Sequence, residues 1–314
     1  MNPPGAAGLL VSVVITTHNR LPRLKESVRS VQCQEEVGWE LIVIDDASSD
    51  GTAEWLASDV GPTIRSYRFA CGVERSRARN QGLSMANGEM VMFLDDDDVL
   101  WPHALKKLYE SLMKNPSAIA AVGSRWEIFE KQSYERRDAH PRWRLCRSIL
   151  PELLFGWSAV SGQNLYRTSL VRQVGGYDPG LILCEDRDLW LRLAPYGDVV
   201  VIPDTVVSYL YHENQFRPSY LPRIRARVAL KAVHALPSQQ QTRGKKLIMS
   251  GRCIENAEKA LSSGRILEAF HLVLVSLTLA PKLYRSPLIG EWIIRRLVGR
   301  AYRRVFPVKT DRPI

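Results

Sequence analysis

Three short apolar runs, Val11–Thr16, Leu41–Ile44 and Met90–Leu94, the first two rich in β-branched residues, alternate with segments of helical periodicity. Apolar runs of this length suit strands covered on both faces. Their alternation with helices predicts an α/β fold, a mostly parallel central sheet with helices on both sides. Pro22–Gln32 places Leu24, Val28 and Val31 on one helical face. Asp50-Gly51-Thr52 turns into a helix over Ala53–Ala57, and Ser76–Ala86 forms a third helix ended by Asn87-Gly88. Pro102 suits the first turn of a helix running to about Lys114. The polar stretch Arg125–Leu150, rich in Arg and Trp, reads as a loop or insertion. Thr168–Val174 is expected to be helical, with Gly175-Gly176 as its C-cap, and Glu185–Leu193 to be another helix. Val199–Ile202 and Val206–Tyr211 return to strand character, and beyond Pro218 the pattern is helical.

Charge divides the chain. Residues 215–314 hold 20 Lys and Arg against 5 Asp and Glu, whereas the first 214 hold 23 against 28. A basic C-terminal part suggests an anionic partner. Five scattered cysteines without a CxxC pair argue against a disulfide framework or a zinc site and fit a reducing cytoplasm. Leu9–Thr17 lacks a preceding basic region and a small-residue cleavage site, so it reads as a buried strand rather than a signal peptide. Ile266–Ala280 contains Glu268 and His271 and is too short to cross a bilayer. No transmembrane helix is expected.

Four segments carry chemistry. Phe93-Leu94-Asp95-Asp96-Asp97-Asp98 ends an apolar strand in four adjacent carboxylates. Their mutual repulsion invites a divalent cation, and hard oxygen ligands suit Mg²⁺ or Mn²⁺; a solvated acidic turn is the alternative. Val43-Ile44-Asp45-Asp46-Ala47-Ser48-Ser49-Asp50-Gly51-Thr52 ends another strand, where a carboxylate can accept from a base N–H or a ribose hydroxyl, or simply build a turn. Around Arg75, Arg77 and Arg79, arginines near a helix start can meet phosphate or base edges; a solvated face is preferred for Arg75 and Arg77. Glu185-Asp186 opens a helix, where an acid can be a general base or only helix-start charge.

In order, "VSVVITTHNR", "VIDDASSDGT", "RARNQGL", "FLDDDD" and "EDRDLWLRL", with "GGYD" and "YHEN", closely resemble the family 2 inverting glycosyltransferases of the GT-A, Rossmann-like fold, over roughly residues 10–215. The resemblance implies a catalytic domain, taken as residues 1–215, and the helical pattern and basic charge beyond it mark 216–314 as a separate region. It implies Thr16 and Asn19 near the base and ribose, Asp46 on the nucleobase, Arg79 near the base, and Asp95 and Asp97 at the ribose and the metal-bound diphosphate. Asp186 matches the base, and His212 sits where some members place a further metal or phosphate contact. The implied donor is a nucleotide-diphosphate sugar, first a UDP-sugar, and the implied acceptor a saccharide or a lipid-linked one in cell-surface polysaccharide or glycolipid synthesis. The QxxRW pattern of polymer-making members is absent, which implies single addition. A nucleotidyltransferase would need a Gly-rich phosphate loop, and Thr16–Arg20 holds no glycine. A non-catalytic nucleotide-sugar-binding protein would not need both the acidic cluster and Asp186.

In the C-terminal part, Ile293, Leu297, Tyr302 and Val305 recur at helical spacing, with Arg296, Arg300, Arg303 and Arg304 largely elsewhere on the wheel. Such a helix can lie on an anionic membrane surface at the cytoplasmic face, or pack on the catalytic domain with its charges solvated. Without a recognised motif, the charge does not indicate nucleic acid.

Overall fold

The computed structural model describes residues 10–58, 64–129, 134–138, 144–157, 159–211, 221–286, 288–290, 293 and 297. The chain forms two compact units, one of Met1–Arg147, Ala159–Leu189 and Tyr196–Phe216, the other of Ser148–Ser158, Trp190–Pro195 and Arg217–Ile314.

The first unit holds a ten-stranded sheet. Its strands are Val11–Thr17 (β1), Trp39–Asp45 (β2), Ile64–Arg68 (β3), Met90–Asp95 (β4), Val99–Leu100 (β5), Ala118–Phe129 (β6), Tyr134–Asp138 (β7), Arg144–Cys146 (β8), Asn164–Arg167 (β9) and Asp198–Tyr211 (β10). The order is β3-β2-β1-β4-β9-β6-β10-β5, with β7 on β6 and β8 on β10. β1 runs parallel to both β2 and β4, while β9 is antiparallel to β4 and β6. The chain winds outward from β1 to β3 and then returns to β4 on the other side of β1. The winding therefore reverses between β1 and β4, where an open α/β sheet leaves a crevice at its carboxyl edge. In register, Thr16 lies opposite Asp95, and Thr17 opposite Asp45.

Side-chain alternation explains the layers. Val11, Val13 and Ile15 share one buried cluster with Leu24, Val28 and Val31 of the helix Leu21–Gln32 (α1) and with Leu105, Leu108 and Leu112. Val14 points the other way and meets Gly82: a Cβ at Gly82 would lie 2.2 Å from Val14 Cγ1. The helices are α1, Thr52–Ala57 (α2), Arg75–Met85 (α3), Ala104–Met113 (α4), Leu150–Phe155 (α5, in the second unit), Thr168–Gln173 (α6) and Glu185–Leu193 (α7).

Several expectations are corrected. Within 125–150 the structure has strands, not a loop: β6 pairs with β7, β9 and β10, and β8 with β10. The polar composition hid this because Glu127 is wholly buried, its charge met by Arg125 at 2.7 Å. The two strands expected at 199–202 and 206–211 are one, β10, which takes up Pro203 in a register shift against β6. The helix expected to start at Pro102 begins at Ala104, after His103 in a left-handed conformation. β3 escaped notice because this edge strand is mostly exposed and has no apolar run.

The second unit packs Leu221–His234 (α8), Ser238–Ser262 (α9) and Ile266–Leu279 (α10) with α5. Ser250 and Ser276 hydrogen-bond side chain to side chain at 2.7 Å in the buried α9–α10 seam. Among the described residues no helix is long and apolar enough to cross a membrane. His212 and most of the expected helix over 291–306 lie outside the described residues.

Gly82→Ala should lift α3 from β1 and cost about 1–3 kcal/mol by overpacking. Denaturant unfolding would show a lower midpoint, and adding Val14→Ala should recover part of the loss in a double-mutant cycle.

Candidate active site

The loops leaving the strand ends are held in unusual backbone conformations. Asn19, Ala47, Glu74 and Cys184 all have positive φ, between 54° and 70°, in the left-handed region that side chains usually avoid. Asn19 staples two of these loops together: its N–H donates to Ser48 Oγ at 2.9 Å, and its Oδ1 accepts from Ser49 N at 2.7 Å. Asp46 Oδ1 accepts from Val73 N at 2.7 Å, which ties the end of β2 to the segment before α3. Thr16 is half-buried at the edge of the crevice. The neighbouring Thr17 is buried and donates to Asp96 Oδ2 at 2.7 Å.

The four consecutive aspartates divide by direction. Asp96 turns toward Thr17 and Arg20, and Arg20 Nη1 lies 3.1 Å from Asp96 and 2.9 Å from Asp97. Asp95, Asp97 and Asp98 converge, each offering a carboxylate oxygen within 4.8 Å of the others. Asp98 is buried and its Oδ2 has no hydrogen-bond partner. Burial raises the Asp98 carboxyl well above the usual range, and the charges of Asp95 and Asp97 add to this. Burial also pushes Asp96 up to about 6. Converging hard oxygens, surplus negative charge and a buried orphan oxygen fit a divalent cation.

Arg79 joins this cluster to the start of α7. Its guanidinium is buried and donates to Asp95 Oδ1 (2.6 Å), Glu185 Oε1 (3.0 Å), Asp186 Oδ1 (3.1 Å) and Ser161 Oγ (3.0 Å). Tyr177 lies under it, 5.1 Å from ring centroid to Cζ. Burial opposes the charge, but Asp186 and Asp95 outweigh it and hold the Arg79 pKa raised. Asn80 positions the tyrosine by accepting from Tyr177 N and donating to Tyr177 O, both at 2.8 Å. Ser161 arrives on a loop whose Gly162 needs a positive φ of 76°, and a Cβ there would meet Val207 at 2.9 Å.

Asp186 keeps 29% of its side-chain surface exposed, so a substrate can reach it. Burial of its surroundings pushes it up to about 6 against the opposing pull of Arg79. A carboxylate with that pKa is ionised at neutral pH yet more basic than an ordinary aspartate, which suits proton abstraction.

The structure thus gathers Asp95, Asp97, Arg79 and Asp186 into one constellation, with Thr16, Asn19 and Asp46 around the ends of β1 and β2. The reading from sequence placed Asp98 in the four-carboxylate run without singling it out as a ligand, and assigned no role to Arg20, Ser161 or Tyr177. Asp98 stands in "FLDDDD", Arg20 ends "VSVVITTHNR" and Tyr177 lies in "GGYD", whereas no quoted segment contains Ser161.

Residues 12–173 match the model of a family described as glycosyl transferase family 2. The chain is 32% identical over 199 residues to the uncharacterized protein y4gI of Sinorhizobium fredii, covering 59% of this chain and 20% of that one. It is 33% identical over 116 residues to TuaG of Bacillus subtilis, a glycosyltransferase provisionally named for teichuronic acid biosynthesis, covering 36% and 46% of the two chains. The chain thus spans a fifth of the first relative and less than half of the second. Among solved structures, S. aureus TarS 1-349 in complex with UDP-GlcNAc superposes with a TM-score of 0.66 at 16% identity, over 96% of this chain and 94% of that one. The likeness is one of fold.

Asp98→Asn removes a buried acidic group crowded by Asp95 and Asp97. It should raise the melting temperature of the cation-free protein and shrink the gain on adding Mn²⁺, both read by thermal shift.

Proposed function

The chain belongs to glycosyl transferase family 2 and has the GT-A fold, and from that premise we propose that it moves a sugar from a nucleotide-diphosphate donor to an acceptor hydroxyl with inversion. One observation carries the reading: a converging carboxylate cluster at the β1–β4 crevice stands one buried arginine away from a partly exposed carboxylate of raised basicity. The first suits the diphosphate end of a donor, the second the hydroxyl of an acceptor.

Asp186 takes the proton of the acceptor hydroxyl as that oxygen bonds to the anomeric carbon. The bond from that carbon to the diphosphate oxygen breaks on the opposite face, and the nucleoside diphosphate leaves with the electron pair. Arg79 holds Asp186 in place and keeps it from pairing with a proton too readily. Asp95, Asp97 and Asp98 are the residues that would hold Mg²⁺ or Mn²⁺, with His212 carried as a further contact. When bound, such an ion supplies positive charge at the diphosphate. Thr16, Asn19 and Asp46 are assigned to the nucleoside. A UDP-sugar is the preferred donor, supported by TarS, whose fold is shared and whose structure holds UDP-GlcNAc. A saccharide or lipid-linked acceptor in cell-surface polysaccharide or glycolipid synthesis is supported by the family and by the name of TuaG. The basic C-terminal region is assigned to an anionic membrane surface at the cytoplasmic face, supported by its charge.

Asp186→Asn should spare donor binding, measured by calorimetry with UDP-sugars and Mn²⁺, and reduce transfer at least 10²-fold by loss of the base. Full turnover in that variant would overturn the assignment. Asp97→Ala should instead abolish cation-dependent donor binding. Because Asp186 must be ionised to act, kcat should rise with pH through about 6 and level off above it. Removal of residues 286–314 should weaken sedimentation with anionic liposomes; unchanged sedimentation would sink the membrane assignment.

A further inference from the structure

Glu127 is wholly buried in β6, and the reaction set out above makes no use of it. A buried ion pair is often worth no more to stability than well-packed apolar side chains of similar volume, so packing of the sheet alone does not call for one. Locally the pair fixes a direction. Arg125 reaches the Glu127 carboxylate with Nε at 2.9 Å and Nη2 at 2.7 Å, and its Cζ lies 5.8 Å from the centroid of the Tyr209 ring. The planar guanidinium is held on that edge, which leaves Nη1 to point away from Glu127, and Nη1 donates to Gln163 Oε1 at 2.9 Å.

Gln163 is also buried, and both ends of its amide have partners. Oε1 accepts from Val160 N at 3.1 Å as well as from Arg125, while Nε2 donates to the Gly123 carbonyl at 2.9 Å. A reversed amide would set N–H against the N–H groups of Arg125 and Val160, so the arginine decides which way the amide faces. The amide in turn closes the turn over residues 160–163, whose main chain is tied to β4 by Gly162 N, 2.7 Å from Phe93 O. Ser161 sits inside this turn. Its hydroxyl accepts from Arg79 Nη2 at 3.0 Å and has Asp186 Oδ2 at 3.5 Å to receive its proton. Asp186 Oδ1 accepts from Arg79 Nη1 at 3.1 Å. The carboxylate of Asp186 is thus aimed by Arg79 at one oxygen and by Ser161 at the other. All of these residues lie in the first unit.

We propose that Glu127 is a positioning residue for sugar transfer: through Arg125 and Gln163 it fixes the turn over 160–163, and through Ser161 the aim of Asp186 at the acceptor hydroxyl. The inference rests on the function proposed above. Reactions between held groups depend steeply on geometry, and a displacement of about 1 Å can cost about 100-fold in rate.

The test uses the full chain with Mn²⁺ and the UDP-sugar that it turns over fastest, reading release of UDP. R125M/E127M removes the buried pair together and leaves no orphaned charge, while Q163M breaks the same path without touching a charge. Both should lose about 10- to 100-fold in kcat, with the dissociation constant for the donor, read by calorimetry, within about twofold of the parent. S161A should lose a similar factor, and combining it with Q163M should add little, because the two act through one turn. Thermal melts and far-UV circular dichroism give the folded fraction by which each kcat is normalised. The inference is overturned if Q163M keeps the parent kcat, if the losses of S161A and Q163M multiply, or if the loss lies in donor affinity. A parent chain that releases no UDP from any UDP-sugar overturns the sugar-transfer reading itself; a parent that does, matched by Q163M, overturns this inference alone.

Discussion

The arrangement of the first unit depends on the burial of one guanidinium. Arg79 is removed from water and must be matched by charge and hydrogen bonds, because an uncompensated buried ion is costly. Asp95, Glu185 and Asp186 supply the charge, Ser161 supplies another acceptor, and Tyr177 offers its ring face. These groups come from the end of β4, the start of α7, the loop before β9 and the segment after α6. Arg79 therefore holds segments that lie up to 107 residues from it in sequence. It reaches them only because α3 lies close on β1, where glycine at position 82 lets Val14 fit against the helix.

A second constraint acts within four residues. Consecutive side chains at a strand end diverge, so a run of aspartates cannot present all its carboxylates to one point. Thr17 and Arg20 hold Asp96 aside, and Ser27 Oγ donates to the backbone carbonyl of Asp98 at 2.5 Å. The remaining three carboxylates converge, and Asp98 Oδ2 among them has no hydrogen-bond partner. Electrostatic frustration of this kind destabilises a protein by itself and becomes useful when a cation completes the cluster. Arg20, in contact with Asp96 and Asp97, offsets part of the repulsion.

The excess positive charge of the C-terminal residues is not spread evenly in the helical unit. One arginine of α8, Arg225, pairs with Glu255, whereas Arg223 and Arg227, two residues to either side of it, are exposed on another face. Opposite faces of one helix thus have different electrostatic character, a distinction invisible in a count of charges.

Much of the first unit was legible in sequence. β1, β2 and β4 were visible because burial on both faces demands continuous apolar runs, α1 by its apolar stripe, and α2 and α3 by the turn residues Asp50-Gly51-Thr52 and Asn87-Gly88 that bound them. The aspartate cluster and the acidic start of α7 were visible as residue types. Tertiary structure decided the rest. β6 was hidden because Glu127 is buried with Arg125, so its sequence looks solvent-facing while its environment is not. β9 finds its place between β4 and β6 through long-range pairing that leaves no local period. Which aspartates converge, that Arg79 faces three carboxylates, and that Arg20 belongs to the site all follow from distant elements meeting at the β1–β4 crevice. Periodicity records how each segment meets its surroundings; it does not record which segments those surroundings are.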